Sequence, residues 1–152
     1  MKNLRLSLTA TLVLLFDRVT KTAFRDADRT LIPRILALHG TRNTGMAFGL
    51  LAGHPFGPAL IGILLCAAMV LYLRKRQLNR LCQYGAGLLL GGALGNLLDR
   101  IFLGYVIDFI DPVFLDWFVF NIADAGVTCG TALLMIHLLF GKGEETHDRH
   151  DR

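Results

Sequence analysis

Cysteine is scarce in this chain, and the three present (Cys66, Cys82 and Cys129) all fall within apolar runs. None has metal-ligand spacing to a second cysteine or a histidine, so neither a zinc site nor a disulfide framework organises the fold, and the thiols read as packing residues. No His-Glu-x-x-His motif occurs, which removes the commonest metalloprotease arrangement. Serine or cysteine nucleophiles have no plausible base beside them: Ser7 lies near one end of the first apolar run, and the five histidines are scattered. A basic face is also missing. The formal net charge is +4, but the cations stand in short segments between apolar runs, the pattern of cytoplasmic loops rather than of a phosphate-binding surface. No metal, cofactor or nucleic acid is therefore expected.

What the chain has in excess is apolar side chain, 53% hydrophobic with a mean hydropathy of +0.49. That is too apolar for an ordinary soluble domain, and 152 residues allow one compact unit. A membrane helix needs about 20 mostly apolar residues. The expected fold is an all-α integral membrane protein, a four-helix transmembrane bundle. Its spans fall at about 4–24, 58–73, 81–98 and 118–140, with an extracytoplasmic segment over about 25–57 and a disordered tail over about 141–152.

The first run follows Lys2 and Arg5. A signal peptide is the alternative reading, but no small-x-small site closes the run. Asp17 and Lys21 stand one helical turn apart instead, acid first, the better order for an ion pair along a helix. From Arg25 to Pro58 the chain is broken by Pro33, Gly40, Gly45, Gly49, Gly53 and Pro55, too often for a membrane helix. Ile32, Ile35 and Leu36 are spaced for a short amphipathic helix. The stretch from Thr41 to Phe48 reads as a turn or short strand pair on the membrane surface, with a solvated loop as the alternative. Arg74-Lys75-Arg76, with Arg80 close behind, is the strongest basic cluster and assigns that loop to the cytoplasm. Four spans then put both termini on the same side, in keeping with Lys2, Arg5 and Lys142.

On the third span Gly87, Gly91 and Gly95 form two overlapping Gly-x-x-x-Gly repeats, a stripe that lets a neighbouring helix come close. The loop after it is acidic, with Asp108, Asp111 and Asp116, and Tyr105 and Trp117 suit a membrane–water interface. On the fourth span Asn121, Asp124, Ala125, Thr128 and Ala132 make a small, polar stripe that keeps Asp124 inside the bundle. The stretch from Gly91 to Asp124 therefore carries more polarity than its setting favours. Asp17, Lys21, Asn96, Asp99, Arg100, Asn121 and Asp124 all gather at the outer ends of the helices, where each ionisable group is by default a functional hypothesis.

Asn96, Asp99 and Arg100 follow at i, i+3, i+4 and share one helix face. Asp108 has only to fold back a short distance to meet Asp124. Two carboxylates sharing a site cannot both ionise cheaply, so one keeps its proton near neutral pH. That is the arrangement of an aspartic protease. Singly, each residue has a plainer role: Asp99–Arg100 as a helix-end charge pair, Asp124 as a hydrogen-bonded structural acid, Asp108 as an exposed loop residue. Their joint occurrence at one membrane face outweighs those roles. A transporter relaying charge through Asp17, Asp99 and Asp124 predicts acids spread through membrane depth, which the sequence does not have. A pure scaffold leaves Asp108 and Asp124 unexplained.

Five segments in order resemble lipoprotein signal peptidases (the signal peptidase II family). They are Asp17-Arg18-Val19-Thr20-Lys21, Asn43-Thr44-Gly45-Met46-Ala47-Phe48, Gly91 to Arg100, Val106-Ile107-Asp108-Phe109 and Phe120-Asn121-Ile122-Ala123-Asp124. The resemblance implies an aspartic endopeptidase of the bacterial cytoplasmic (inner) membrane. Its substrates would be prolipoproteins already diacylated on the cysteine that becomes the new N-terminus, cleaved on the N-terminal side of that cysteine. The catalytic pair would be Asp108 and Asp124, supported by Asp17, Lys21, Asn43, Gly45, Asn96, Asp99, Arg100 and Asn121. The resemblance also implies a small extracytoplasmic β element between the first two spans. Arg100, oriented by Asp99, is expected to hold a substrate carbonyl or lipid ester oxygen. The bilayer and the prolipoprotein are the expected partners, and the chain is expected to be a monomer. Two residues depart from the pattern: Arg18 stands where the family has glutamine, and Gly49 where it has serine.

Overall fold

The computed structural model describes residues 3–45, 56–74, 77–115 and 118–140. Four helices and three strands follow in the order α1 (Leu4–Phe24), β1 (Asp28–Ile32), β2 (Leu36–Asn43), α2 (Gly57–Arg74), α3 (Arg80–Leu103), β3 (Val106–Asp111) and α4 (Ile122–Phe140). The segment 141–152, the cations Lys75 and Arg76, the residues Asp116 and Trp117, the end of the second motif (Met46 to Phe48) and Gly49 lie outside the described residues.

Helix α3 is the hub, packed against each of the other three helices, and its glycines make this possible on two sides. Gly87, Gly91 and Gly95 face α1: an added Cβ would come within 2.8 Å of the Leu6 carbonyl at position 87, 2.6 Å of the Ala10 carbonyl at 91 and 2.7 Å of the Asp17 carboxylate at 95. The expected stripe is therefore an α1 contact. Gly92, on another side, rests on the Ala123 carbonyl of α4. The small core where these helices meet is Leu6, Ala86 and Leu90. The outward faces carry exposed leucines instead, among them Leu8, Leu12, Leu15, Leu60, Leu64 and Leu138.

Helices α2, α3 and α4 are long and apolar enough to cross a membrane. Helix α1 has 21 residues, a spanning length, but carries Arg5, Asp17, Arg18 and Lys21. Asn79 caps the start of α3, accepting from the Cys82 backbone N–H at 2.9 Å. Gly104 ends it in the left-handed region (φ 80°), its N–H donating to the Arg100 carbonyl. The helix thus runs past the expected end at about residue 98, and the glycine turn sends β3 straight back against it.

The sheet is antiparallel in the order β1-β2-β3. Its β1–β2 hairpin is the small β element expected between the first two helices, and it takes the place of the short amphipathic helix expected around Ile32, Ile35 and Leu36. Ile32 pairs with Leu36 across a hairpin whose turn holds Arg34 at φ 64°, and Pro33 there offers no backbone donor for a helix. Thr41 and Asn43 of β2 stand opposite Asp108 and Val106 of β3. On its other side β3 is joined by Phe120, which exchanges backbone hydrogen bonds with Ile110 at 2.8 and 2.9 Å. This bridge explains why α4 starts at Ile122 rather than near residue 118. Cys66 and Cys82 are buried as expected, whereas Cys129 is exposed.

Candidate active site

The sequence folds so that β3 and the first turn of α4 meet beside the last turns of α3. Asp108 enters from β3 and is 3% exposed. Its Oδ1 accepts from Asn121 Nδ2 at 2.6 Å and its Oδ2 from Asn43 Nδ2 at 3.0 Å. Asp124 enters from α4 and is half-buried. Its Oδ1 accepts from Asn96 Nδ2 at 2.7 Å and its Oδ2 from the Asn121 backbone N–H at 3.2 Å. Asn121, fully buried, thus touches both acids. Burial first, and the neighbouring charge of Asp124 second, push the Asp108 carboxyl up to about 6.

Behind the two acids lies an ionic cluster. Lys21, 1% exposed, directs its ammonium to Asp17 Oδ2, Asp99 Oδ2 and Asn96 Oδ1, each at 2.9 Å. An ammonium has three donors, and all three are used. Asp17 and Asp99 are completely buried and reach onward to backbone. Asp17 Oδ1 accepts from the Ala123 N–H at 2.9 Å, and Asp99 Oδ2 from the Ile107 N–H at 3.3 Å. The expected Asp17–Lys21 pair is present, and it is one edge of a larger unit.

Arg100 is turned elsewhere. Its Nη2 donates to the Gly45 carbonyl at 2.9 Å and its Nη1 to the Asn96 carbonyl at 3.3 Å, so Asp99 does not orient it by a hydrogen bond or ion pair. Adjacent helix residues point in different directions, and Asp99 is committed to Lys21 and Arg18. Gly45 in turn donates its N–H to Asn43 Oδ1 at 3.0 Å. All ten residues singled out from sequence therefore lie in one connected network.

Arg18 is the residue that sequence reasoning noticed only as a departure. Its Nη1 donates to Asp99 Oδ1 at 2.6 Å, and its Nη2 to Asp17 Oδ2 at 2.9 Å and to the Gly95 carbonyl at 3.2 Å. The only available signal was a second cation beside the Asp17–Lys21 pair. Thr41, which donates to the Asp108 carbonyl at 3.3 Å, carried no signal at all.

The geometry is that of two carboxylates, one buried and one half-buried, both held by Asn121 and backed by paired charges, an arrangement suited to general acid–base chemistry. Comparison with known proteins points the same way. The sequence profile described as "Signal peptidase (SPase) II" matches residues 9–140. A lipoprotein signal peptidase of Syntrophomonas wolfei is 42% identical over 141 residues, covering 88% of this chain and 93% of that one. One from Staphylococcus aureus is 37% identical, covering 95% and 91%. A solved structure described as a bacterial membrane enzyme superposes with a TM-score of 0.81 at 36% identity, covering 95% of this chain and 93% of that one. With the profile spanning most of its length and such relatives on either side, the chain belongs to the signal peptidase II family and is a peptidase.

Proposed function

We propose that this peptidase removes the signal peptide from diacylglyceryl-modified prolipoproteins, with Asp108 and Asp124 activating the water. The observation that carries the reading is Asn121, whose side-chain amide donates to the Asp108 carboxylate while its backbone N–H donates to that of Asp124, so that one residue holds both acids in one site. One proton is shared between the acids. Asp108, whose carboxyl is raised to about 6, carries it, and Asp124 is the base. Asp124 takes a proton from water as the oxygen attacks the scissile carbonyl, while Asp108 donates to the developing oxyanion. On collapse of the tetrahedral intermediate Asp124 gives its proton to the leaving amine, the new lipidated N-terminus, while a hydroxyl of the intermediate gives its proton to Asp108. The C–N bond breaks, a carboxyl forms and both acids return to their starting states. Asn43, Asn96 and Asn121 keep the acids in register by hydrogen bonds.

The membrane setting fits this substrate. In the proposed topology α1 is a fourth span, both termini are cytoplasmic, and the sheet and the acids sit near the outer face. Acyl chains on the cysteine then stay in the bilayer while the peptide bond reaches the interface. Cysteines placed singly at His39 and Asp111, in a background lacking the native three, are expected to react with an impermeant reagent in intact spheroplasts. Reaction only after lysis overturns the orientation. The enzyme is proposed to work as a monomer.

The test of function is incubation of the purified full chain with a prolipoprotein, with and without diacylglyceryl on its cysteine. The expected product begins at the lipidated cysteine and arises from the diacylated form alone. Equal cleavage of both forms, or cleavage elsewhere, rejects the substrate assignment.

A further inference from the structure

Each of the two acids follows a residue whose backbone N–H is tied to the cluster behind them. Ala123, just before Asp124, is held by Asp17; Ile107, just before Asp108, is held by Asp99. The two holding carboxylates are fully buried, and they need two cations to be neutral. Lys21 is one. Arg18 is the other, and it spans both acids with the two arms of one guanidinium. Among the described residues, Asp99 Oδ1 has no partner except Arg18.

We propose that Arg18 is a positioning residue of this enzyme, resting on the reading of Asp108 and Asp124 as the catalytic pair. It completes the charge balance of the Asp17–Lys21–Asp99 cluster, and through that cluster it fixes where β3 and α4 present the two acids. Arginine suits the task because its planar fork serves two carboxylates at once, which a lysine ammonium on a single stem does less well. Loss of the guanidinium leaves one excess negative charge in a buried cluster, beside a pair that must hold one proton.

The charges around Asp108 are Asp124 of α4, Lys21 of α1, and Arg100 and Asp99 of α3. Strand β2 presents the neutral Asn43, and its Arg42 lies over the Tyr105 ring. An added negative charge from the uncompensated cluster disfavours ionisation of Asp108, so its titration moves to higher pH.

The test compares the wild-type chain with Arg18→Met, Arg18→Gln and Arg18→Lys, purified in detergent with melting as the folding control. Two readouts are used. One is kcat and KM on a diacylated prolipoprotein across pH. The other is an infrared titration of the Asp108 carboxyl, identified by difference from Asp108→Asn, which needs no turnover. Arg18→Met is expected to lower kcat about tenfold with KM unchanged, and to move the Asp108 titration alkaline by about one pH unit. Arg18→Gln, which keeps a hydrogen-bonding head without charge, is expected to show the same alkaline shift and serves alone if Arg18→Met fails to fold. Arg18→Lys is expected to restore the titration but only part of kcat. An Asp108 titration that overlays wild type in both neutral variants overturns the proposal, as does a loss confined to KM, which makes Arg18 a substrate contact. Failure of the catalytic-pair reading is separately visible, since Asp108→Asn would then keep its turnover.

Discussion

Asn121 and Asp124 hold each other. The Asp124 backbone N–H donates to Asn121 Oδ1 at 2.9 Å, and the Asn121 backbone N–H donates to Asp124 Oδ2 at 3.2 Å. This is the reciprocal arrangement of a capping box, with Asn121 just before the first residue of α4. A motif that ordinarily starts a helix here also aims a carboxylate, and the side-chain amide of Asn121 reaches Asp108 as well as Asn96 and the Ile107 carbonyl.

The cap and the aim separate by substitution. Asn121→Ser keeps a capping oxygen but loses the amide that donates to Asp108. It is expected to cost little stability while cutting kcat by more than about tenfold. Asn121→Ala loses both and is expected to cost about 1 kcal/mol of stability in addition. Thermal melting in detergent beside steady-state kinetics reads the two effects, and wild-type kcat in Asn121→Ser refutes the bridging role.

Asp108→Asn and Asp124→Asn are each expected to abolish cleavage while the chain still inserts and folds, because one acid must give a proton and the other take one. Turnover within about tenfold of wild type in either variant would remove that residue from the chemistry.

The raised Asp108 carboxyl gives the pH dependence a sign. With Asp124 ionised, Asp108 holds the shared proton below about 6 and loses it above. The competent, singly protonated free enzyme therefore declines as pH rises through that value, so kcat/KM, which reports the free enzyme, is expected to fall on the alkaline side. Bound substrate excludes more water and disfavours the second charge further, so the matching limb of kcat is expected at higher pH. A kcat/KM that stays flat from mildly acidic to mildly alkaline pH rules out Asp108 as the proton carrier.

Much of this was legible in the sequence because the governing interactions are local. The Asp17–Lys21 pair is one helical turn, and the Gly87, Gly91 and Gly95 stripe is one face of one helix. What was not legible depends on helices meeting. No spacing rule connects Lys21 to Asp99, or Asp17 to the Ala123 N–H, since those contacts arise only after α1 and α4 dock on α3. Arg100 follows Asp99 directly, and adjacent helix residues point in different directions, so the two side chains take separate partners despite their shared stretch of α3. The hairpin at Pro33-Arg34 is the β element that the family resemblance implies between the first two spans. Residue spacing alone does not reveal it, because three aliphatic residues at helical spacing fit two strands equally well when none is deeply buried.

The glycine stripe makes a structural prediction. A Cβ at position 91 would lie 2.6 Å from the Ala10 carbonyl and 3.0 Å from its Cα, both backbone atoms that cannot swing away. Gly91→Ala is expected to push α1 from α3, lowering the melting temperature and, because α1 carries Lys21 and Asp17, activity with it. Gly104→Ala has open space around it and is strained only through its left-handed backbone, so the expected loss is about 1–2 kcal/mol. Equal melting of Gly91→Ala and wild type contradicts the close approach.

Arg100 carries the last prediction. Its two Nη atoms bond two carbonyls, those of Gly45 and Asn96. The Gly45 N–H then holds Asn43 Oδ1, and the Asn43 amide donates to Asp108 Oδ2. The guanidinium therefore clamps the end of β2 onto α3 and, three contacts on, steadies Asp108. Lysine supplies the charge but not the planar fork, and one ammonium is poorly placed for both carbonyls. Arg100→Lys is expected to lower kcat about tenfold, equivalent to roughly 1.4 kcal/mol, with melting little changed. If the effect runs through Asn43, then Asn43→Ala and the double variant lose no more than about the larger single loss, because residues in one network do not add. Additive losses in that cycle sever Arg100 from Asn43, and an unchanged Arg100→Lys leaves the residue as a helix-end anchor at the headgroups.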